Sequence, residues 1–580
     1  MAAGRDRPLL RSARHAGGWT VLLGLTALAG NAAELLLPAT LGQAVDAALA
    51  GSDGRWLIAA AALVGTIVLT GIAGELASGY GAARATGRLR HLLIRHILGL
   101  APAAAARRPA GDLVTRLVGQ AADAGQAGTA LVLGLTAALP SVGSVAALAM
   151  LDPWLAITFV AGLLVMSLLI HAFVADATDA MRGYQRTHGE IAGRLIEALT
   201  GARTIGAAGT TTAEAARILA PLPDLHAYGR RSWLVLARAA GRTALVAPAL
   251  QLAVVAVAGH AVTTGRLSPG QLFAAMQYAA LGTGLGAVVA TLNRIIRART
   301  GAWRAAEILA EPRMRYGGAV LPPGPGELVL DDVSVYTSDG RSILDRVSLR
   351  VPGGSTTAVV GVSGAGKSTL AEIAGRLRDP DAGQVRLDGI PLDALRPDAL
   401  RRAVGYGFDR PTLVGSTLAD AIGLGADGVS PAELERLARA AAIDQFVTGL
   451  PGGYHAALAD TPMSGGETQR LGLARAMRAQ RLLILDDATS NLDTVTAHRI
   501  ATAVAAAGDH RTRLVITHRV TGAAAADVVV WLDAGRVRAV GPHARLWRLP
   551  GYRAVFRAPV AESAGPEHAD DQVPPAPVHR

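Results

Sequence analysis

Six long stretches almost devoid of charge, all in the first half, constrain this chain more than any other feature. The first runs from Trp19 to Val45, broken only by Glu34, and the others cover 57–74, 124–151, 153–175, 243–265 and 267–293. Each supplies about 18–20 apolar residues, enough to cross a hydrocarbon core of about 30 Å. Buried helices of a large soluble core are the competing reading, but six such runs crowded together favour a membrane. Composition agrees: only 17% of the residues are charged, against roughly 25% in soluble domains.

The connections between runs alternate in charge. Arg5, Arg7, Arg11 and Arg14 precede the first run. A second arginine-rich segment, from Arg84 to Arg116, lies between runs two and three, and a third, from Arg182 to Arg242, between runs four and five. Arg294, Arg297 and Arg299 follow the sixth. Positive residues mark the cytoplasmic side, so this pattern predicts six spans in an inner or plasma membrane with both termini cytoplasmic. The two long cytoplasmic connections read as helical extensions. Residues 1–310 form the expected membrane domain, and the proline-rich stretch 311–326 reads as a linker. Residues 327–558 alternate short β-rich and helical segments, the pattern of an α/β domain, and 559–580 have the composition of a disordered tail. The net charge of +11 would also suit nucleic acid, but basic loops beside a bilayer account for it, and no nucleic-acid partner is expected. The absence of cysteine excludes disulfides, thiolate zinc sites and iron–sulfur clusters.

Of the 56 basic residues that are Lys or Arg, all but Lys367 are arginine. A position that keeps lysine against such a bias needs a compact point charge rather than a planar fork, as a tight phosphate cradle does. Lys367 stands in Gly361-Val362-Ser363-Gly364-Ala365-Gly366-Lys367-Ser368, after the apolar run 356–360 and before the helical 369–373. This is GxxxxGK[ST] between a strand and a helix, the context of a Walker A loop. Its N–H groups and helix terminus would wrap phosphates. Lys367 would reach the β- and γ-phosphates, Ser368 would ligate Mg²⁺, and Ser363, Gly364, Ala365, Gly366 and Thr369 would line the cradle. The apolar run 482–485 ends in Asp486 and Asp487, and Asp486 fits the Walker B role of holding Mg²⁺. Ser464-Gly465-Gly466-Glu467 opens a predicted helix about 20 residues earlier.

Taken together, these motifs resemble the ATP-binding cassette transporters of the type IV exporter architecture, with membrane and nucleotide-binding domains fused. The resemblance implies an α-helical six-span transmembrane domain followed by an α/β P-loop NTPase domain, with ATP and Mg²⁺ as cofactors. It makes Ser464, Gly465, Gly466 and Glu467 the signature turn that contacts ATP on a partner cassette. Residues 490–493 become the D-loop, and His518 becomes the switch histidine that contacts the γ-phosphate. Tyr336 falls one residue before the slot of the adenine-stacking aromatic, where Thr337 stands. Three positions depart from the family pattern. Asp487 takes the place of the catalytic glutamate, Asp409 that of the Q-loop glutamine near the metal and the water, and Glu467 that of the signature glutamine. The chain then looks like a half-transporter for a small amphipathic cargo. It would be paired with a second half, a heterodimer being favoured over a homodimer, and its own Walker site would be weakened. A regulatory half whose partner hydrolyses ATP, and an importer on the same fold, are the alternatives. Glu34, His171, Gln251, His260, Gln277 and Asn293 are polar residues within apolar runs. Such residues are functional candidates or lie near helix ends or against another helix.

Overall fold

The computed structural model describes residues 7–51, 54–106, 108–283, 285–337, 339–425, 428–490, 492–506 and 510–557. The chain divides into two compact units, Met1–Leu98 with Pro109–Glu311, and Gly99–Arg108 with Pro312–Arg580.

The first unit is helical. Its main elements are α1 (Gly18–Leu49), α2 (Arg55–Ile97), α3 (Ala127–Thr136), α4 (Leu139–Leu151), α5 (Pro153–Thr200), α6 (Leu222–Thr263), α7 (Pro269–Gly282) and α8 (Leu285–Leu309). With 43, 48 and 42 residues, α2, α5 and α6 are each more than about 60 Å long, twice a hydrocarbon core. Among the described residues four stretches are long and apolar enough to span a membrane: Gly18–Leu49, Arg55–Ile97, Ala110–Leu151 and Leu245–Thr263. The fourth expected run begins as the shorter apolar helix Pro153–Leu168, with the side chains beyond it outside the described residues. The sixth is divided between α7 and α8 by a turn at Thr283.

Small residues bring these helices together, because lipid-embedded helices gain by packing closely rather than by leaving water. A Cβ on Gly42 of α1 would lie 2.5 Å from the carbonyl oxygen of Gly270 in α7, so only glycine allows this approach. Leu148, Leu155, Phe159, Leu250, Val254, Ala258 and Tyr278 form the unit's largest apolar cluster.

In the second unit ten strands are described: β1 (Leu328–Tyr336), β2 (Ser342–Val351), β3 (Thr356–Val360), β4 (Ala382–Leu387), β5 (Ile390–Pro391), β6 (Val404–Gly407), β7 (Leu482–Asp486), β8 (Thr512–Ile516), β9 (Val528–Asp533) and β10 (Arg536–Gly541). They form an antiparallel sheet ordered β2-β1-β4-β5 and a mainly parallel sheet ordered β10-β9-β3-β8-β7-β6. Two helices matter below, α9 (Lys367–Ala374) and α10 (Gly465–Ala476). The β3, β7 and β8 positions Val359, Asp486 and Ile516 lie in one register row. That row puts the loop after β3, the acidic end of β7 and the segment after β8 on one edge of the sheet. Carboxyl ends of parallel strands are where open α/β sheets place their ligands. The segment Gly99–Arg108 joins this unit because Leu100 bridges Arg313 and the Met314 N–H donates to Gly99 O.

Candidate functional site

The phosphate loop joins β3 to α9 with a backbone that few other residues could follow. A Cβ on Gly361 would lie 2.2 Å from Leu532 O, and Gly366 has φ +96°, left-handed and strained for any side chain. Gly366 is also the N-cap of α9 and offers no side chain to cap it. The first-turn N–H groups of α9 are thus left for an anion. Lys367 Nζ donates to the carbonyls of Gly361 and Val362 at 2.9 and 3.0 Å, which folds its ammonium over the loop. Burial pushes the Lys367 ammonium below the usual lysine range, while the carboxylates of Asp487 and Asp486 pull it back up. This cradle fits the phosphates of a nucleotide.

Asp486 ends β7. Its Oδ1 accepts from Ser368 Oγ at 3.2 Å and its Oδ2 from the Tyr406 hydroxyl at 3.1 Å. Burial foremost pushes the Asp486 carboxyl up. The bonds from Tyr406 and Ser368 hold it down, and Asp487 and Asp409 add an upward push. A hydroxyl and a carboxylate at this separation are hard oxygen donors. They suit Mg²⁺, which takes one or two such ligands and completes its shell with phosphate and water. Asp487, the next residue, has φ +48°, a left-handed conformation costly for a residue with a Cβ. Its Oδ1 lies 3.1 Å from His518 Nδ1.

Asp409 faces a different partner. Its carboxylate accepts from Ser490 Oγ, and its backbone carbonyl accepts from Gln469 Nε2 at 3.0 Å. The same amide reaches Asp487 O at 3.3 Å and Ser490 Oγ at 3.4 Å. Arg519 donates to Ser490 O and Leu492 O. Asn491 lies outside the described residues. Ser464 is the N-cap of α10 and forms a capping box with Glu467. Glu467 Oε2 accepts from Ser464 N at 2.7 Å and from Ser464 Oγ at 2.8 Å. These bonds stay within the turn, and Gly465 stands in open space. Tyr336 is exposed at the end of β1, with its N–H on Asp381 Oδ2 and its carbonyl accepting from Arg378.

Thus Lys367, Ser368, Asp486, Asp487 and His518 converge on one sheet edge, with Asp409 joined to them through Gln469. The turn 464–467 and Tyr336 are placed on their own supports. The ABC transporter transmembrane region matches residues 20–285, and the ABC transporter cassette matches 344–490. ABC transporter ATP-binding protein RamA of Streptomyces coelicolor is 46% identical over 542 residues, covering 93% of this chain and 85% of that protein. The chain belongs to the ABC transporters.

The multidrug efflux ATP-binding/permease protein Rv0194 of Mycobacterium tuberculosis is 32% identical over 581 residues, 95% of this transporter and 47% of that protein. A bacterial Atm1-family ABC exporter with ATP bound shares its fold at a TM-score of 0.72 and 26% identity, over 94% of this chain and 100% of that one. Membrane region and cassette fused in one chain make this an ATP-driven membrane transporter. Two of its site residues escape sequence reasoning. Gln469, 1% exposed, lies two positions past the turn glutamate, and only its helical position signals that it points inward. Tyr406 reads as one more apolar residue of β6. Its bond to Asp486, 80 positions away, appears only in three dimensions.

Proposed function

We propose that this chain is one half of a dimeric exporter of a small amphipathic molecule, with six spans and cytoplasmic termini. Its partner is a second half-transporter, favoured as a different chain, and its own Walker site hydrolyses ATP slowly. The observation that carries this reading is Asp487. Its carboxylate occupies the position after the metal-holding Asp486, on a strained backbone and against His518. It is one methylene shorter than the expected glutamate, and a displacement of about 1 Å at an attacking water can cost about 10²-fold.

Lys367 and the α9 terminus bind the phosphates, and Ser368 and Asp486 would hold Mg²⁺, whose charge would offset that of the phosphates when bound. Asp487, with His518 beside it, orients water at the γ-phosphate. The exposed turn Ser464-Gly465-Gly466, with Glu467 as its cap, serves the ATP of the partner cassette. Tyr336 supports the adenine. Closure of two cassettes on ATP turns the membrane cavity outward. Similarity to a multidrug efflux protein and to an Atm1-family exporter favours an exporter over an importer.

The test compares ATPase of the purified chain in lipid, alone and with a second half bearing the glutamate. Slow turnover alone, fast turnover in the pair, and little effect of Asp487→Asn in the pair are expected. Fast turnover of the lone chain, abolished by Asp487→Asn, would establish a self-sufficient homodimer instead. Because the chain has no cysteine, Thr263→Cys should react with an impermeant thiol reagent on whole cells and Arg203→Cys should not. Reaction at 203 in sealed cells would overturn the topology.

A further inference from the structure

The membrane unit contains a cavity of about 740 Å³ lined mainly by α1, α2, α3 and α8. Its wall is mostly glycine, alanine, threonine and leucine, with the polar Asn31, Ser78 and Gln126 and three ionisable side chains: Glu34, Glu75 and Arg294. None of the three has a hydrogen bond or ion pair among the described residues.

Their depths follow from the packing. A Cβ on Gly74 would lie 3.4 Å from Thr26 Oγ1, and one on Gly30 would lie 3.1 Å from Thr70 Oγ1, so α1 and α2 run antiparallel with residue 26 level with 74. Glu75 is then level with about residue 25, and Glu34 lies about nine residues, or about 14 Å, further along the axis. A Cβ on Gly128 of α3 would lie 2.9 Å from Thr20, and one on Gly134 would lie 2.7 Å from Ile295. That places Gly134, and with it Arg294, near the level of residue 26. Glu75 and Arg294 therefore share one level and offset each other in charge. Glu34 stands alone at the midpoint of the 32-residue α1, with Asn31, Ile67, Thr70 and Pro140 around it in the cavity wall.

The backbone at Glu34 is unusual as well. Pro38 lies within α1, and a proline provides no N–H for the carbonyl four residues earlier. That carbonyl belongs to Glu34. The Glu34 carbonyl thus lacks its usual helical donor, on the residue whose side chain lines the cavity. A membrane-embedded charge is costly and is kept where a partner compensates it. Among the described residues of the cavity wall, no basic side chain lies at that level to do so.

We propose that Glu34 is the cation-recognition residue of this cavity, and that the cargo carries an ammonium or guanidinium group on an amphipathic body. The inference rests on the transport reading and names the cargo class for it. Glu34 accepts from the cation with its carboxylate, and the alanine, leucine and other apolar residues of the wall cover the rest of the ligand.

The test uses the full chain in lipid nanodiscs without ATP, with tetraphenylphosphonium and the size-matched anion tetraphenylborate as probes. Binding is measured by flow dialysis against protein-free discs. The cation should bind in a protein-dependent way and the anion should not. Glu34→Gln should weaken cation binding about 10-fold, the loss of about 1.4 kcal/mol of charge–charge attraction, and Glu34→Asp should retain most of it. A hydrophobic carbodiimide should modify Glu34 of the unaltered chain, read by peptide mass spectrometry, and saturating phosphonium should suppress that modification. Unchanged cation affinity in Glu34→Gln, preference for the borate, or modification insensitive to phosphonium would each overturn the proposal. ATP-dependent transport by the same purified chain reconstituted in sealed proteoliposomes would leave the transport reading standing, and its absence would not alter these binding results.

Discussion

His518 meets Asp487 across the ends of β8 and β7, Nδ1 to Oδ1, at 3.1 Å. The histidine side chain is 61% exposed and can swing, whereas Asp487 is fixed by its left-handed backbone. The carboxylate is therefore aimed but short. Asp487→Glu adds the missing methylene and should raise ATP turnover of the lone chain by up to about 10²-fold, the reverse of the cost of a 1 Å displacement. His518→Ala should lower turnover in both backgrounds. Steady-state phosphate release reads both effects. A glutamate variant no faster than the original would mean that Asp487 does not limit hydrolysis.

Lys367 holds two loop carbonyls with the only ammonium side chain in the protein. Lys367→Ala should weaken ATP binding by about 10- to 100-fold, the range for hydrogen bonds to a charged group, and abolish transport. Lys367→Arg should also impair binding, since a planar fork does not fit a loop closed around a point charge. Equilibrium binding of a fluorescent ATP analogue checks this, and full affinity in the arginine variant would remove Lys367 from the phosphate site.

Asp486 connects the metal site to pH. Burial raises its carboxyl above the unfolded value, so the folded protein favours the protonated form. The stability this contributes is complete below about pH 4, the unfolded carboxyl range, and is lost as pH rises through the raised value. At neutral pH the carboxylate is a cost in the nucleotide-free cassette. Asp486→Asn should then raise the thermal midpoint of the nucleotide-free protein at pH 7 by about 1–3 °C, converging with the original at acid pH. The same variant should lose the Mg²⁺-dependent part of stabilisation by ATP. A lower midpoint without nucleotide, or an intact Mg²⁺-dependent shift, would contradict this account.

The membrane half was legible as hydropathy but not as continuous backbone. The run 267–293 is uniformly uncharged, yet it turns at Thr283, because composition does not record where a helix breaks. The phosphate loop was legible because all its parts lie within a few residues. The grouping of Gly99–Arg108 with the cassette unit was not, since it depends on a bridge between Leu100 and Arg313. Glu34 was visible as a charge in an apolar run. That it faces a cavity depends on helix packing, which one sequence does not state. Gln469 and Tyr406 were missed for the same reason, their partners being 60 and 80 residues away.

Gln469 is the residue whose role follows most directly from that distance. Its side-chain amide reaches Asp409 O, Asp487 O and Ser490 Oγ from the interior of the cassette, at 1% exposure. It ties together the segment after β6, the residue after β7 and Ser490 beyond it. Removing the amide would leave the half-buried carbonyls of Asp409 and Asp487 without this donor, at a cost of about 1–2 kcal/mol. Gln469→Ala should lower the thermal midpoint by several °C, about 2–4 °C for each kcal/mol in a domain of this size. It should also reduce ATP turnover more than ATP affinity, because the phosphate loop is untouched while the backbone of Asp487 is released. Gln469→Glu keeps the shape but reverses the polarity, placing acceptors against acceptors, and should be at least as damaging as alanine. A glutamate variant with normal midpoint and turnover would show that the amide serves only as filler, and the brace would have to be abandoned.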